Sequence, residues 1–172
     1  MSAGPQISVG VLTVSDRCHR GEQEDVSGAR IVEWCAERGF DVARRATVPD
    51  ETASITPLLT RWADEGIGLV LTTGGTGLAP RDVTPEATRA AIERDVPGIA
   101  ERIRQAGLAS TPFSVLSRGV AGLRGGTLIV NLPGSPGGVS DGLVVLGPLV
   151  EHSVRLAGDD PTSHAPPTGG GS

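Results

Sequence analysis

Short apolar runs alternate along this chain with stretches in which apolar residues recur every third or fourth position, and the two patterns predict strands and helices in turn. Ile7-Ser8-Val9-Gly10-Val11-Leu12-Thr13-Val14 is rich in β-branched and apolar residues, so it predicts a central strand buried on both faces. Helical spacing follows. Ile31, Trp34, Cys35 and Arg38 repeat at helical intervals, with Ser27 placed to cap the helix and Gly39 to stop it. Residues 40–48 alternate for part of their length, as a strand nearer an edge would. Ile55, Leu58, Leu59 and Trp62 mark a second helix ending near Gly66, which places Asp50 at its N-cap. Leu69-Val70-Leu71 reads as a buried strand, residues 84–93 as a helix, and Ile99, Ile103 and Leu108 as another helix opening at Pro97. Residues 111–118 fit a short helix or an irregular strand. Thr127-Leu128-Ile129-Val130-Asn131-Leu132 is a clear buried strand, and Val139, Leu143, Leu146, Val150 and Val154 line a final helix bent near Gly147-Pro148. Strands alternating with helices predict an α/β fold: a three-layer, doubly wound, mostly parallel sheet with helices on both faces.

Composition narrows the function classes. At 172 residues the chain makes one domain, long enough to bury roughly 70% of its unfolded surface. Residues 1–158 carry the domain, while the Pro, Gly, Ser and Thr content of residues 159–172 offers nothing to bury and predicts a flexible tail. Twenty acidic residues against fifteen arginines give a formal charge of −5, with no Arg-rich run or aromatic platform, which argues against nucleic-acid binding. Residues 1–6 lack the basic and apolar regions of a signal peptide, and no apolar run approaches a membrane span. A cytoplasmic protein with no membrane partner is expected. Cys18 and Cys35 are too far apart for a zinc-type pair and are expected as free thiols, and His19 has no second ligand at metal spacing.

The chemistry concentrates after the strand at 69–71. Three glycines within four residues, Gly74-Gly75-Thr76-Gly77, allow positive φ and close approach of the backbone, so successive N–H groups can converge on phosphate oxygens. Asp82 follows, and Thr84-Pro85-Glu86 has the form of a helix start, with Thr84 as N-cap. Taken alone, such a loop is as readily a plain strand-to-helix connection. It is no P-loop, because the chain contains no lysine, and that absence also removes Schiff-base chemistry. A second glycine-proline loop, Pro133-Gly134-Ser135-Pro136, closes the strand at 127–132. Right-handed crossovers bring these loops to one sheet edge with Asp16 and Asp50. Two acids beside two glycine loops suit a phosphate ester with Mg²⁺, amides holding the phosphate and carboxylates the metal.

Gly74-Gly75-Thr76-Gly77, Pro80-Arg81-Asp82-Val83-Thr84-Pro85-Glu86, Leu116-Ser117-Arg118 and Asn131-Leu132-Pro133-Gly134-Ser135-Pro136 together resemble the molybdopterin adenylyltransferase type of molybdenum-cofactor proteins. That family includes the gephyrin and plant two-domain homologues, and the resemblance runs from about Ile7 to Leu156. It implies transfer of AMP from ATP to the terminal phosphate of molybdopterin, with release of pyrophosphate, and a homotrimer whose only other partners are small molecules. Asp50 and Asp82 match the family's essential carboxylates, with Mg²⁺ at or near them. Gly74, Gly75, Thr76, Gly77, Pro133 and Gly134 match its nucleotide and phosphate loops, and Ser117, Arg118 and Asn131 its pterin side. Gly137 stands where the family often carries a basic residue. A binding paralogue with little turnover, or a non-enzymatic oligomeric scaffold, would keep the same motifs. The apolar faces at Leu143 and Val150 add to the trimer expectation.

Overall fold

The structure is a computed structural model, which describes residues 6–158. Its elements are β1 (Ser8–Val14), α1 (Asp16–His19), α2 (Val26–Glu37), β2 (Asp41–Val48), α3 (Thr52–Asp64), β3 (Leu69–Thr73), α4 (Thr84–Ala91) and β4 (Arg94–Asp95). There follow α5 (Pro97–Gly107), a 3-10 turn (Pro112–Leu116), β5 (Ala121–Arg124), β6 (Thr127–Leu132), α6 (Pro136–Leu146) and α7 (Val150–Ala157). The expected tail lies outside the described residues.

One sheet runs in the order β2-β1-β3-β6-β5-β4. The first four strands are parallel, while β5 and β4 extend the sheet antiparallel. β1, β3 and β6 occupy the middle because both of their faces are apolar, and β3 is buried along its whole length. Separate cores form on the two faces. Ile31, Ile103 and Leu143 of α2, α5 and α6 pack on one, and Ile55, Leu59 and Trp62 of α3 with Ala87 of α4 on the other. This is the three-layer α/β fold that the periodicity predicts.

Several local expectations need correcting. β4 and β5 were not predicted, since two and four residues bearing Arg94, Asp95, Gly122 and Arg124 carry no apolar alternation; their neighbours in the sheet define them. Asp16 starts the short helix α1, which the periodicity does not mark. The bend at Gly147-Pro148 is a break, which leaves α6 and α7 as two helices. Leu143 and Val150 are already buried within the chain, at 3% and 0% exposure, so their apolar faces need no partner subunit.

The three predicted caps are all displaced. α2 is capped by Asp25, whose carboxylate accepts from the Gly28 N–H at 2.8 Å. The N-cap positions of α3 and α4 are Glu51 and Val83, neither with a side-chain cap. Ser27, Asp50 and Thr84 are thereby released for other bonds, and all of these lead to one place.

Candidate active site

That place is the carboxyl edge of the parallel strands. β3 lies between β1 and β6, so its loop is flanked by Val14 on one side and by Pro133 and Gly134 on the other. Gly74 and Gly75 take φ of 96° and 68°, a backbone region that favours glycine. A side chain on Gly74 would collide with the Val14 carbonyl, and one on Gly75 with the Thr84 hydroxyl.

The carbonyls of these loops are turned inward and bonded. Thr84 Oγ1 donates to Gly74 O at 2.9 Å, and the Thr84 N–H donates to Gly75 O at 3.1 Å. Arg118 Nε donates to Gly77 O at 2.8 Å and its Nη2 to Asp82 O at 2.6 Å. On the facing loop, Thr73 Oγ1 donates to Pro133 O at 2.7 Å and Ser27 Oγ to Gly134 O at 2.8 Å. Meanwhile the N–H groups of Gly75, Thr76, Gly77 and Gly134 find no protein acceptor among the described residues. Bonded carbonyls and free amides give the loops the polarity of an anion nest.

Two carboxylates meet this nest. Asp50 Oδ2 accepts from the Asp16 N–H at 2.9 Å, and Asp50 Oδ1 lies 3.2 Å from where a Gly75 side chain would begin. Asp82 Oδ2 accepts from the Ala79 N–H at 3.0 Å. Neither carboxylate has a basic group within salt-bridge distance among the described residues. Burial pushes the Asp50 carboxyl up; the Asp16 N–H partly offsets this, and the negative charges of Asp16 and Asp82 add to it. Asp16 is the opposite case. Hydrogen bonds from Arg81, and then the Asp50 N–H, hold its carboxyl down at about 2.

Two cavities open here. The smaller, about 330 Å³, is lined by Asp50, Asp82, Gly74, Gly75, Gly134 and Cys18, among others. The larger, about 670 Å³, runs past Thr76, Gly77 and Ser117 to apolar walls at Leu78, Phe113 and Leu116, with Asp141 as its second acid. Gly75, Asp82 and Gly134 belong to both. They form the junction between the two cavities.

The structure brings together Asp50, Asp82, Gly74, Gly75, Thr76, Gly77, Pro133, Gly134 and Ser117, which all line one or both cavities. Arg118 and Asn131 stand apart from them. The Arg118 guanidinium is spent on Gly77, Asp82 and Glu86, and it braces the glycine loop from behind. Asn131 is 3% exposed, and its amide bonds Thr72 and Thr88 at 2.9 Å while its oxygen accepts from Val120 N at 3.1 Å. In the structure both bond to the scaffold around the loops. The sequence gives Ser27 only a capping role and marks neither Thr73 nor Asp141; Arg81 carries a signal as the neighbour of Asp82 in a loop already singled out.

Among the described residues no three His, Cys, Asp or Glu side chains gather into a metal cage. Asp50 and Asp82 still fit a hard divalent cation. Each offers an oxygen with no protein donor, and Mg²⁺ commonly takes one or two carboxylates and completes its shell with phosphate and water. Both cysteines are free thiols, Cys35 buried with its thiol pushed up to about 11 by desolvation.

The model of a probable molybdopterin binding domain matches residues 10–152. A molybdopterin adenylyltransferase of Helicobacter pylori is 40% identical over 153 residues, 87% of this chain and 87% of that protein. The molybdenum cofactor synthesis protein cinnamon of Drosophila melanogaster is 42% identical over 156 residues, 90% of this chain. The chain spans 26%, 23% and 46% of the lengths of cinnamon and two further curated relatives, the gephyrin of Dictyostelium discoideum and a bifunctional protein of Synechococcus elongatus. The crystal structure of the molybdopterin biosynthesis enzyme MoaB from Thermus thermophilus superposes with a TM-score of 0.83 at 52% identity, covering 88% of this chain and 96% of that one. With one sheet order, one glycine-loop site and these matches over most of its length, the chain belongs to the molybdenum-cofactor biosynthesis family of molybdopterin adenylyltransferase-like proteins.

Proposed function

We propose that the chain catalyses ATP- and Mg²⁺-dependent adenylylation of molybdopterin. An oxygen of the pterin's terminal phosphate attacks the α-phosphorus of ATP, the bond from that phosphorus to the α–β bridging oxygen breaks, and pyrophosphate leaves. The junction of two cavities at Gly75, Asp82 and Gly134 carries this reading, because a transfer between two substrates needs two sites that meet at one point. The ATP phosphates take the smaller cavity, against the free amides of Gly75 and Gly134. The pterin takes the larger, its flat ring against Leu78, Phe113 and Leu116 and its N–H edge toward the Asp141 carboxylate.

Nucleotidyl transfer needs little covalent chemistry from the protein, so the contribution of this chain is positioning and charge neutralisation. Asp50 and Asp82 would hold Mg²⁺, which when bound would supply the positive charge that a site without lysine lacks. The loop amides hold phosphate oxygens in place, and the inward bonding of the carbonyls keeps their lone pairs away from the anion. The homologues named molybdopterin adenylyltransferase in Helicobacter pylori and Escherichia coli, each 40% identical, support the reaction. A homotrimer and a cytoplasmic location belong to the same proposal. Val115 and Val144, at 55% and 77% exposure, are apolar surface that assembly would cover, and no helix among the described residues is long and apolar enough to cross a membrane.

Incubating the protein with ATP, Mg²⁺ and molybdopterin is expected to yield adenylated pterin and pyrophosphate in equal amounts. Tight pterin binding without either product would identify a binding paralogue instead.

A further inference from the structure

Asp50 is not placed by its own helix. Its carboxylate is held by the main chain of Asp16, and the Asp16 carboxylate returns the bond: Asp16 N donates to Asp50 Oδ2 at 2.9 Å, and Asp50 N donates to Asp16 Oδ1 at 3.0 Å. This reciprocal pair joins the loop after β1 to the loop after β2. A third loop completes it. Arg81, beside Asp82 in the loop after β3, grips Asp16 in a fork, Nε to Oδ2 at 2.6 Å and Nη2 to Oδ1 at 2.9 Å. One guanidinium thus ties together three loops, two of which bear the two cavity carboxylates.

We infer that Arg81 is a positioning residue for Asp50, acting through Asp16, and that its task is to set the distance between Asp50 and Asp82 before a cation arrives. The inference rests on the proposed metal role of those two carboxylates. Three geometric facts carry it. Asp16 does not itself line the small cavity, so its charge serves the clasp. The fork is planar and bidentate, which fixes the angle of the Asp16 carboxylate and with it the oxygen that receives the Asp50 N–H. Arg81 has a second acid near it, Glu51, but at 3.9 Å and on an exposed side chain, too loose to fix anything. Removing the guanidinium leaves Asp16 charged and unpaired beside Asp50, and a carboxylate freed from its fork can turn away and release the Asp50 backbone. Removing the Asp16 charge as well relieves that. Asparagine keeps an oxygen for the Asp50 N–H, and the backbone donor to Asp50 Oδ2 is untouched. Loss of one partner of a paired charge is costlier than loss of both.

The test is Mn²⁺ titration by electron paramagnetic resonance on the full chain with a non-hydrolysable ATP analogue, alongside adenylyl-transfer kinetics and thermal melting. Arg81→Gln is expected to weaken Mn²⁺ affinity and lower kcat by about 10- to 100-fold, the usual cost of disturbing a group that orients a metal ligand. Adding Asp16→Asn to Arg81→Gln is expected to recover most of that loss, while Glu51→Gln alone changes neither quantity. Melting temperatures should stay together, because the exposed Arg81 contributes little to global stability. Failure of the double variant to recover, or an unchanged Mn²⁺ affinity with a raised KM for ATP, overturns the inference and makes Arg81 a direct nucleotide ligand. Tighter Mn²⁺ binding by Arg81→Gln also overturns it, with Asp16 then a ligand in its own right. Wild-type protein that binds no Mn²⁺ would sink the metal reading together with the inference; wild type that binds it without the double-variant rescue sinks the inference alone.

Discussion

The two cavities share three residues and are built on opposite terms. In the smaller one, the main chain of the glycine loops beside Asp50 and Asp82 is pinned by donors from other elements: Thr84 on Gly74 and Ser27 on Gly134. The outer wall of the larger one is the 3-10 turn, whose Phe113 and Leu116 side chains stand 73% and 46% exposed. The difference follows from what each must do. Charge transfer at phosphorus rewards fixed dipoles, since dipoles that need not move at the moment of reaction cost nothing to reorganise. A flat apolar ring is held by contact area, which tolerates an adjustable wall. Rigidity is spent where the charge develops.

The sharpest way to break this contrast is to change charge in the small cavity without changing shape. Asp82→Asn is expected to reduce adenylyl transfer by on the order of 10²-fold or more, about 3 kcal/mol of transition-state stabilisation, with the fold intact by circular dichroism. Near-normal turnover at limiting Mg²⁺ would leave Asp82 as the acceptor of the Ala79 turn and nothing more. Asp50→Asn should match it in activity and part from it in stability. Burial disfavours the ionised Asp50 in the folded state, so its charge is a cost above its raised pKa, and the amide is expected to raise the melting temperature at neutral pH. A lower melting temperature would show that the Asp50 carboxylate supports the fold.

Thr84→Val tests the pinned main chain itself. It leaves the part-buried Gly74 carbonyl without its donor beside the fully buried Thr84 side chain, which should cost about 1–3 kcal/mol of stability in urea denaturation and loosen ATP binding before pterin binding. On the adjustable side, Ser117→Ala removes a hydroxyl from the larger cavity and the acceptor of the Gly119 N–H. Pterin affinity should fall about fivefold with ATP affinity unchanged, a loss of about 1 kcal/mol measured by calorimetry. Equal losses for both ligands would put Ser117 in the shared scaffold. The smallest effect concerns acid. The Asp16 carboxyl is depressed to about 2 by Arg81, so its contribution to stability is complete above about pH 4 and fades as pH falls toward 2. Urea midpoints of wild type and Asp16→Asn should therefore converge between pH 4 and 2; a constant gap across that range would show that the charge of Asp16 contributes nothing.

The layers of this fold were legible because β1, β3 and β6 announce themselves by apolar runs and the helices by their period. β4 and β5 were not, since a short strand at the end of a sheet is defined by its neighbour's free edge and not by its own residues. The loops of the site were legible for a related reason, glycine clusters being rare and physically specific. Assigning single residues within them went less well. Ser27, Asp50 and Thr84 each have the chemistry of a helix cap and sit within two residues of a helix start, and local sequence offers no way to tell that a partner ten or more residues distant takes the bond. Arg118 shows the opposite difficulty: an arginine beside a cavity motif reads as an anion ligand, and the sequence does not show that its guanidinium bonds Glu86 and two carbonyls.

The sheet order carries a consequence for synthesis on the ribosome. β6 is the last strand to be made, yet it is inserted between β3 and β5, deep in the sheet. Until residue 132 has emerged, β3 presents an unpaired apolar edge, the kind of surface that recruits other strands. The small cavity does not exist at that stage either, because Thr73 and Ser27 are waiting for carbonyls that belong to Pro133 and Gly134. A chain stalled or cleaved before that point is thus both aggregation-prone and without its phosphate site, and quality control that removes the one hazard removes the other.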